Sequence, residues 1–137
     1  MANEVGTRTA RQRAGDAAEQ LVSDRLRGRG WSVLARNVHA GRSEIDIVAV
    51  DPGPPARLVA VEVRFRRCTE FGLAEETFDG RKRAKLRRGI ARLLDAGTLP
   101  DGSRLPSLPM ALDLAVVEPH DGHMRVRLYR NALEDRF

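Results

Sequence analysis

The chain has 137 residues, a formal charge of +5, and apolar and charged fractions of 42% and 31%, which suits one globular domain with a real core rather than a disordered or fibrous chain. No apolar run approaches the length of a membrane span, and MANEVGTRTARQR lacks the apolar middle of a secretory leader. Cys68 is the only cysteine, which excludes an internal disulfide and a cysteine-based zinc site and makes a reducing cytoplasm the expected setting.

In chain order, residues 1–8 are expected to be a flexible tail on a single domain spanning 1–137. From Thr9 to about Arg29, Ala10, Ala14, Ala17, Ala18, Leu21, Val22 and Leu26 recur at helical spacing, and Gly28 and Gly30 end the helix. WSVLARNV at 31–38 predicts a first strand, with Asn37 and the following HAGR as turn material. SEIDIVAVD at 43–51 predicts a second strand, DPGPPAR at 51–57 a turn, and LVAVEVRF at 58–65 a third strand, antiparallel to the second. Phe71 to Phe78 reads as irregular. From about Asp79 to Ala96 a second helix is marked by Ala84, Leu86, Ile90, Ala91, Leu93 and Leu94, and Gly97 closes it. TLPDGSRLPSLP reads as a loop, and MALDLAVVE (110–118) and MRVRLYR (124–130) as final strands joined by a PHDGH turn. The order α-β-β-β-α-β-β predicts an α/β fold, one mixed sheet with helices against it.

The positive charge is almost wholly arginine, since Lys82 and Lys85 are the only lysines, and it clusters at 8–13, 25–30, 64–67 and 81–88. Such clusters attract polyanions, of which nucleic acid is the commonest. A solvated helix face explains any one cluster equally well; four on so small a domain favour a polyanion partner.

Two strands carry carboxylates where apolar residues are expected. Successive strand side chains alternate between faces, which puts Ile45, Ile47 and Ala49 on one face of the second strand and Glu44, Asp46, Val48 and Val50 on the other. In the third strand Ala60, Glu62 and Arg64 share a face. Pairing the apolar faces brings Asp46 and Glu62 together. Two carboxylates held close in a partly buried place repel each other and are costly to desolvate. A divalent cation removes that penalty, and hard oxygen ligands select Mg²⁺ or Mn²⁺. Arg64 points the same way as Glu62, where a cation can hold a scissile phosphate or position water. A structural Glu62–Arg64 ion pair is an equally open reading of the spacing alone.

The chain resembles the YraN-like family of small bacterial proteins. The resemblance rests on Gly15, Glu19, Val22, Leu26, Gly30 and Trp31, then Leu34 with Arg36-Asn37, then Glu44-Ile45-Asp46-Ile47-Val48-Ala49 and Val61-Glu62-Val63-Arg64 with Arg66. It continues through Phe71-Gly72, Arg81-Lys82-Arg83 and Leu112-Asp113. It implies a restriction-endonuclease-like fold related to Holliday junction resolvases. It further implies a nuclease core, usually written P-D-x(n)-D/E-x-K, with Asp46 and Glu62 as its acidic positions, the Val63 carbonyl as a further ligand, and Glu19 reaching the same Mg²⁺ or Mn²⁺ ion from the first helix. Three positions depart from the pattern: Arg64 replaces the motif lysine, Ala18 a glycine before the helical glutamate, and Ser43 the glycine before Glu44. Arginine keeps the charge and can clamp phosphate, but it stays protonated and cannot act as a base.

The leading expectation is therefore a metal-dependent endonuclease acting on structured or branched DNA. Asp46, Glu62, Arg64 and Glu19 would form the catalytic set, with Arg11, Arg66, Arg81, Lys82 and Lys85 against the phosphate backbone. The alternative is a catalytically degenerate nucleic-acid-binding module in which Arg64 pairs with Glu62 or Asp46. A third reading is a protein–protein adaptor whose arginines are compositional. Nucleases of the related kind often act as homodimers, though no self-complementary apolar stripe demands one here. His39, His120 and His123 lack ligand spacing, Trp31 reads as core, and Asp113 as a buried partner for an arginine.

Overall fold

The computed structural model describes residues 9–66 and 80–131. The expected N-terminal tail, the stretch from Phe71 to Phe78 and Cys68 lie outside the described residues, as does the side chain of Arg11.

Helix α1, Ala10–Gly28, starts in a capping box: the Thr9 hydroxyl accepts the Gln12 N–H at 3.0 Å, and the Gln12 side chain accepts the Thr9 N–H at 2.9 Å. Two otherwise orphaned helix donors are satisfied in this way. Five strands follow, β1 (Ser32–Ala40), β2 (Ser43–Asp51), β3 (Arg57–Phe65), β4 (Met110–His120) and β5 (His123–Tyr129), with α2 (Gly80–Ala96) between β3 and β4. They form one sheet in chain order; β3 and β4 run parallel and the other neighbours antiparallel. A parallel pair needs a long crossover, and α2 lies in it. The expected mixed α/β architecture and its element order are those found. Among the described residues no helix is long and apolar enough to cross a membrane.

The sheet buries both faces. Ala18, Val22 and Leu26 of α1 pack with Trp31, Ile47, Ala49, Val59, Val61, Ala115 and Val117. On the other face Leu86, Ile90 and Leu93 of α2 pack with Val38, Ile45, Val48, Leu58, Ala60, Leu112, Leu114 and Val116. Each fully buried Ile, Val or Leu side chain contributes roughly 1.5–3 kcal/mol. Ala91 and Leu94, expected on the apolar stripe of α2, are exposed instead.

Two turns are tighter than the sequence suggested. β1 does not end at Val38 but runs on to Ala40, with Asn37 held inside the strand at φ +52°. Asparagine tolerates that left-handed conformation, so a residue type that signals turns can also mark a strand irregularity. Similarly, β4 extends through His120, and the turn shrinks to Asp121-Gly122, both at positive φ. Two-residue turns of this kind match the twist of the strands they join.

Candidate functional site

The β2–β3 ladder runs from Asp51↔Arg57 to Ile47↔Val61 and stops there. At the next position the Asp46 carboxylate replaces the backbone: its Oδ2 accepts the Val63 N–H at 2.8 Å. The strand turns about this residue. Ile45 packs in the core under α2, whereas Ile47 packs in the core under α1. Simple alternation had put both isoleucines on one face; it breaks at Asp46, which lies opposite the left-handed Asn37 of β1.

Glu62 lies beside Asp46 at the mouth of this opening. Burial, then the negative charge of Asp46, push the Glu62 carboxyl up to about 8, against the lowering effect of Arg64 and Lys82; its hydrogen bond with Asp46 adds to the rise. Burial also raises Asp46, although the Val63 N–H and the hydrogen bond with Glu62 pull the other way. Both carboxyls are thus pushed toward the protonated form, and the pair disfavours carrying two negative charges. Arg64 Nη2 stands 2.9 Å from Glu62 Oε2.

Glu19 reaches the same region from α1. Arg36 holds it, with Nη2 at 3.5 Å from Oε1, and fastens the neighbouring Gln20 by a 2.8 Å bond. Burial, and then Asp46, raise the Glu19 carboxyl, with Arg36 opposing. With its amide nitrogen turned to the carboxylates, Asn37 donates to Glu19 Oε1 at 2.9 Å and to Glu44 Oε1 at 3.2 Å. Glu44 and Asn37 thus join the candidate set, which sequence reasoning had not assigned a role there; the left-handed asparagine was the available signal.

Among the described residues no three His, Cys, Asp or Glu side chains form a group able to hold a metal ion. A cation here would rest on the Asp46–Glu62 pair with a backbone oxygen and water. That is a donor set Mg²⁺ accepts. Two partly buried carboxylates whose joint ionisation is disfavoured fit such an ion, which would take the place of a proton.

Above the pair lies a cavity of about 280 Å³ lined by Ser43, Glu44, Asp46, Glu62, Arg64, Lys82, Lys85 and Leu86. Helix α2 is seated there by a close contact. The Ser43 hydroxyl donates to the Lys85 carbonyl at 2.8 Å, and a Cβ on Gly89 would meet Ser43 Cβ at 2.7 Å. Lys82 and Lys85 are in this way brought to the carboxylates, and Arg81 is exposed one residue earlier. A larger open hollow of about 500 Å³ near Val38, Ala40 and Leu99 has no carboxylate in its lining.

Arg66, expected at the phosphate surface, is only 8% exposed, and its Nη1 lies 3.5 Å from Glu118 Oε2. Glu118 is fully buried, and Arg125 (2.6 Å) and Arg127 (2.9 Å) close on its Oε1. Burial would raise its carboxyl, but hydrogen bonds from Arg125 and Arg127 hold it below the usual range. Asp113 is buried against Arg130 Nε at 2.6 Å and accepts the Asn131 N–H at 3.0 Å, the structural partnership expected of it. His39 sits 3.8 Å from Glu44, and His120 and His123 flank the last turn.

Residues 18–117 match the Uncharacterised protein family UPF0102. A UPF0102 protein of Symbiobacterium thermophilum is 38% identical over 88% of this chain and 96% of its own length. One from Carboxydothermus hydrogenoformans is 33% identical over 90% and 98%. One from Pseudomonas fluorescens is 32% identical over 81% and 86%.

Proposed function

The chain belongs to the UPF0102 family, and we propose that it is a nucleic-acid-binding, endonuclease-like protein that hydrolyses phosphodiesters of structured or branched DNA with a divalent cation. The observation that carries this reading is the partly buried Asp46–Glu62 pair at the end of the β2–β3 ladder, where Asp46 accepts the Val63 N–H and the negative charge of Asp46 bears on Glu62. Asp46 and Glu62 would hold Mg²⁺ or Mn²⁺ with the Val63 carbonyl and water as further donors, and Glu19 would add negative charge nearby rather than a ligand. When bound, such an ion supplies a Lewis acid and a water of lowered pKa. Arg64, Lys82 and Lys85 border the same cavity and are suited to orient the phosphate. Contacts to phosphate carry no base information, so DNA structure rather than sequence would be selected. The test is Mg²⁺- or Mn²⁺-dependent cleavage of branched, flapped and single-stranded DNA, with Asp46→Ala abolishing it. Equal cleavage by that variant would point to a contaminant and remove the support.

A second reading has its own observation. The 2.9 Å contact between Arg64 and Glu62 already supplies a positive charge to the second carboxylate. A binding module that has given up catalysis would be built in this way, and it predicts salt-sensitive DNA binding with no metal-dependent turnover.

A further inference from the structure

On the face of the sheet that carries Glu62, the register sets Glu62 and Arg64 of β3, and Arg66 just beyond it, level with three residues of β5. Glu62 pairs with Leu114 and through it Tyr129, and Arg64 with Val116 and through it Arg127. In the next row Glu118 faces Arg125 across β4 and β5, and Arg66 follows Arg64 on the same side of β3. Arg127 is therefore two strand spacings from Arg64, about 10 Å. Helix α2 lies chiefly over β1 and β2. Its lysines border the carboxylate pair on one side, and the β5 arginines stand beyond Arg64 on the other.

The cluster around Glu118 contains more positive charge than that carboxylate needs. Among the described residues, Arg66, Arg125 and Arg127 all lie within 3.5 Å of it. Of these, Arg66 and Arg125 alone already exceed the single charge of this carboxylate, which favours a further anion beside them. The two arginines from β5 are the accessible ones, with side chains 40% and 28% exposed against 8% for Arg66. Glu118 anchors them from below while parts of both guanidiniums reach solvent.

We propose that Arg125 and Arg127, held by Glu118, form a second phosphate station, so that a nucleic-acid backbone crosses the sheet from the Asp46–Glu62 pair past Arg64 to β5. The partner chemistry is a chain of phosphodiesters. The inference rests on the nucleic-acid reading above but not on catalysis. It assigns a role to the alternating arginines of MRVRLYR, which composition alone left unexplained.

The experiment measures binding of fluorescent single-stranded and branched DNA in EDTA across a salt series, so that no cleavage intervenes. Arg125→Gln is expected to weaken binding and to reduce the slope of log K against log salt by about 0.7–0.9, one phosphate contact. Arg104→Gln, an equal charge change at an exposed loop position outside the four basic clusters, is expected to leave both nearly unchanged. Because Arg125→Gln removes a partner of a buried charge, Glu118→Gln and Glu118→Gln/Arg125→Gln are compared as a second pair, in which no buried carboxylate remains. The single Glu118 variant is expected to bind at least as tightly as wild type, and the double variant to lose the same slope relative to it. Wild-type binding with an unchanged slope in both Arg125 comparisons overturns the second station alone. Failure of the wild-type protein to bind DNA even at low salt overturns the nucleic-acid reading as well.

Discussion

Arg64 Nη2 lies 2.9 Å from Glu62 Oε2, so the charge that follows the second carboxylate is directed back at it. Under the nuclease reading, Arg64→Gln lowers the rate of Mn²⁺-dependent cleavage by roughly 10²–10³, the usual effect of removing one stabilising charge. Arg64→Lys retains it within about tenfold, because a compact ammonium keeps the charge without the planar fork. Cleavage that appears only in Arg64→Lys sides with the binding-module reading. Single-turnover rates on branched DNA decide between them.

The stability of the metal-free protein is expected to fall as pH rises from about 4.5 to about 8. Glu62 has a raised carboxyl in the folded state, so the folded chain binds more protons than the unfolded chain in that window. Stability therefore declines with pH, by at most about 1.4 kcal/mol per unit for one proton. Glu19 and Asp46, also raised, add the same sign at the lower end. Glu62→Gln removes most of the slope and is more stable than wild type above pH 8. Urea midpoints at several pH values in EDTA measure both; parallel curves for the two proteins would mean that Glu62 is already ionised at neutral pH.

Gly89→Ala is expected to destabilise by roughly 1–3 kcal/mol, since its Cβ would stand 2.7 Å from Ser43 Cβ and push α2 off β2. Ser43→Gly opens that space but loses the hydroxyl bond to Lys85. The double variant is therefore expected to be more stable than the sum of the single losses, with a coupling of about 0.5–3 kcal/mol in a double-mutant cycle. Strict additivity would show that the contact does not seat the helix.

Asn37 combines two demands, a left-handed backbone and an amide between Glu19 and Glu44. Asn37→Gly satisfies only the backbone, and its loss should be near the low end of roughly 0.5–1.5 kcal/mol per hydrogen bond. Asn37→Ala adds a conformational cost of about 1–2 kcal/mol. The melting temperatures should rank Asn above Gly above Ala, and a reversed order of Gly and Ala would remove the backbone argument.

The sequence made the elements legible wherever periodicity was clean. The span of β2 from Ser43 to Asp51 and the apolar positions of α2 at Leu86, Ile90 and Leu93 follow from it directly. It also brought Asp46 and Glu62 together, because one ladder carries both strands. What it missed were residues whose role is set by other elements. Asn37 read as a turn because asparagine tolerates turns, and Ile45 was put on the wrong face because alternation breaks where Asp46 faces that left-handed residue across the ladder. Arg66 looked like one more surface charge. Only the positions of β4 and β5 reveal Glu118 beneath it. Arg125 and Arg127 were passed over in a chain so rich in arginine that alternation carried little weight.

The connection between β2 and β3 governs chemistry it never touches. Asp51 pairs with Arg57, and from there the strands count back residue by residue to Ile47↔Val61 before Asp46 takes over. Residues 52–56 thus act as a ruler whose length fixes which side chains meet at the far end. One residue more or less would slide the register and turn a whole strand's side chains to the opposite face. Asp46 would then confront another neighbour while every site residue remained in place in the sequence. Variation in that proline-rich turn can therefore retune or erase the site without altering a single one of its groups.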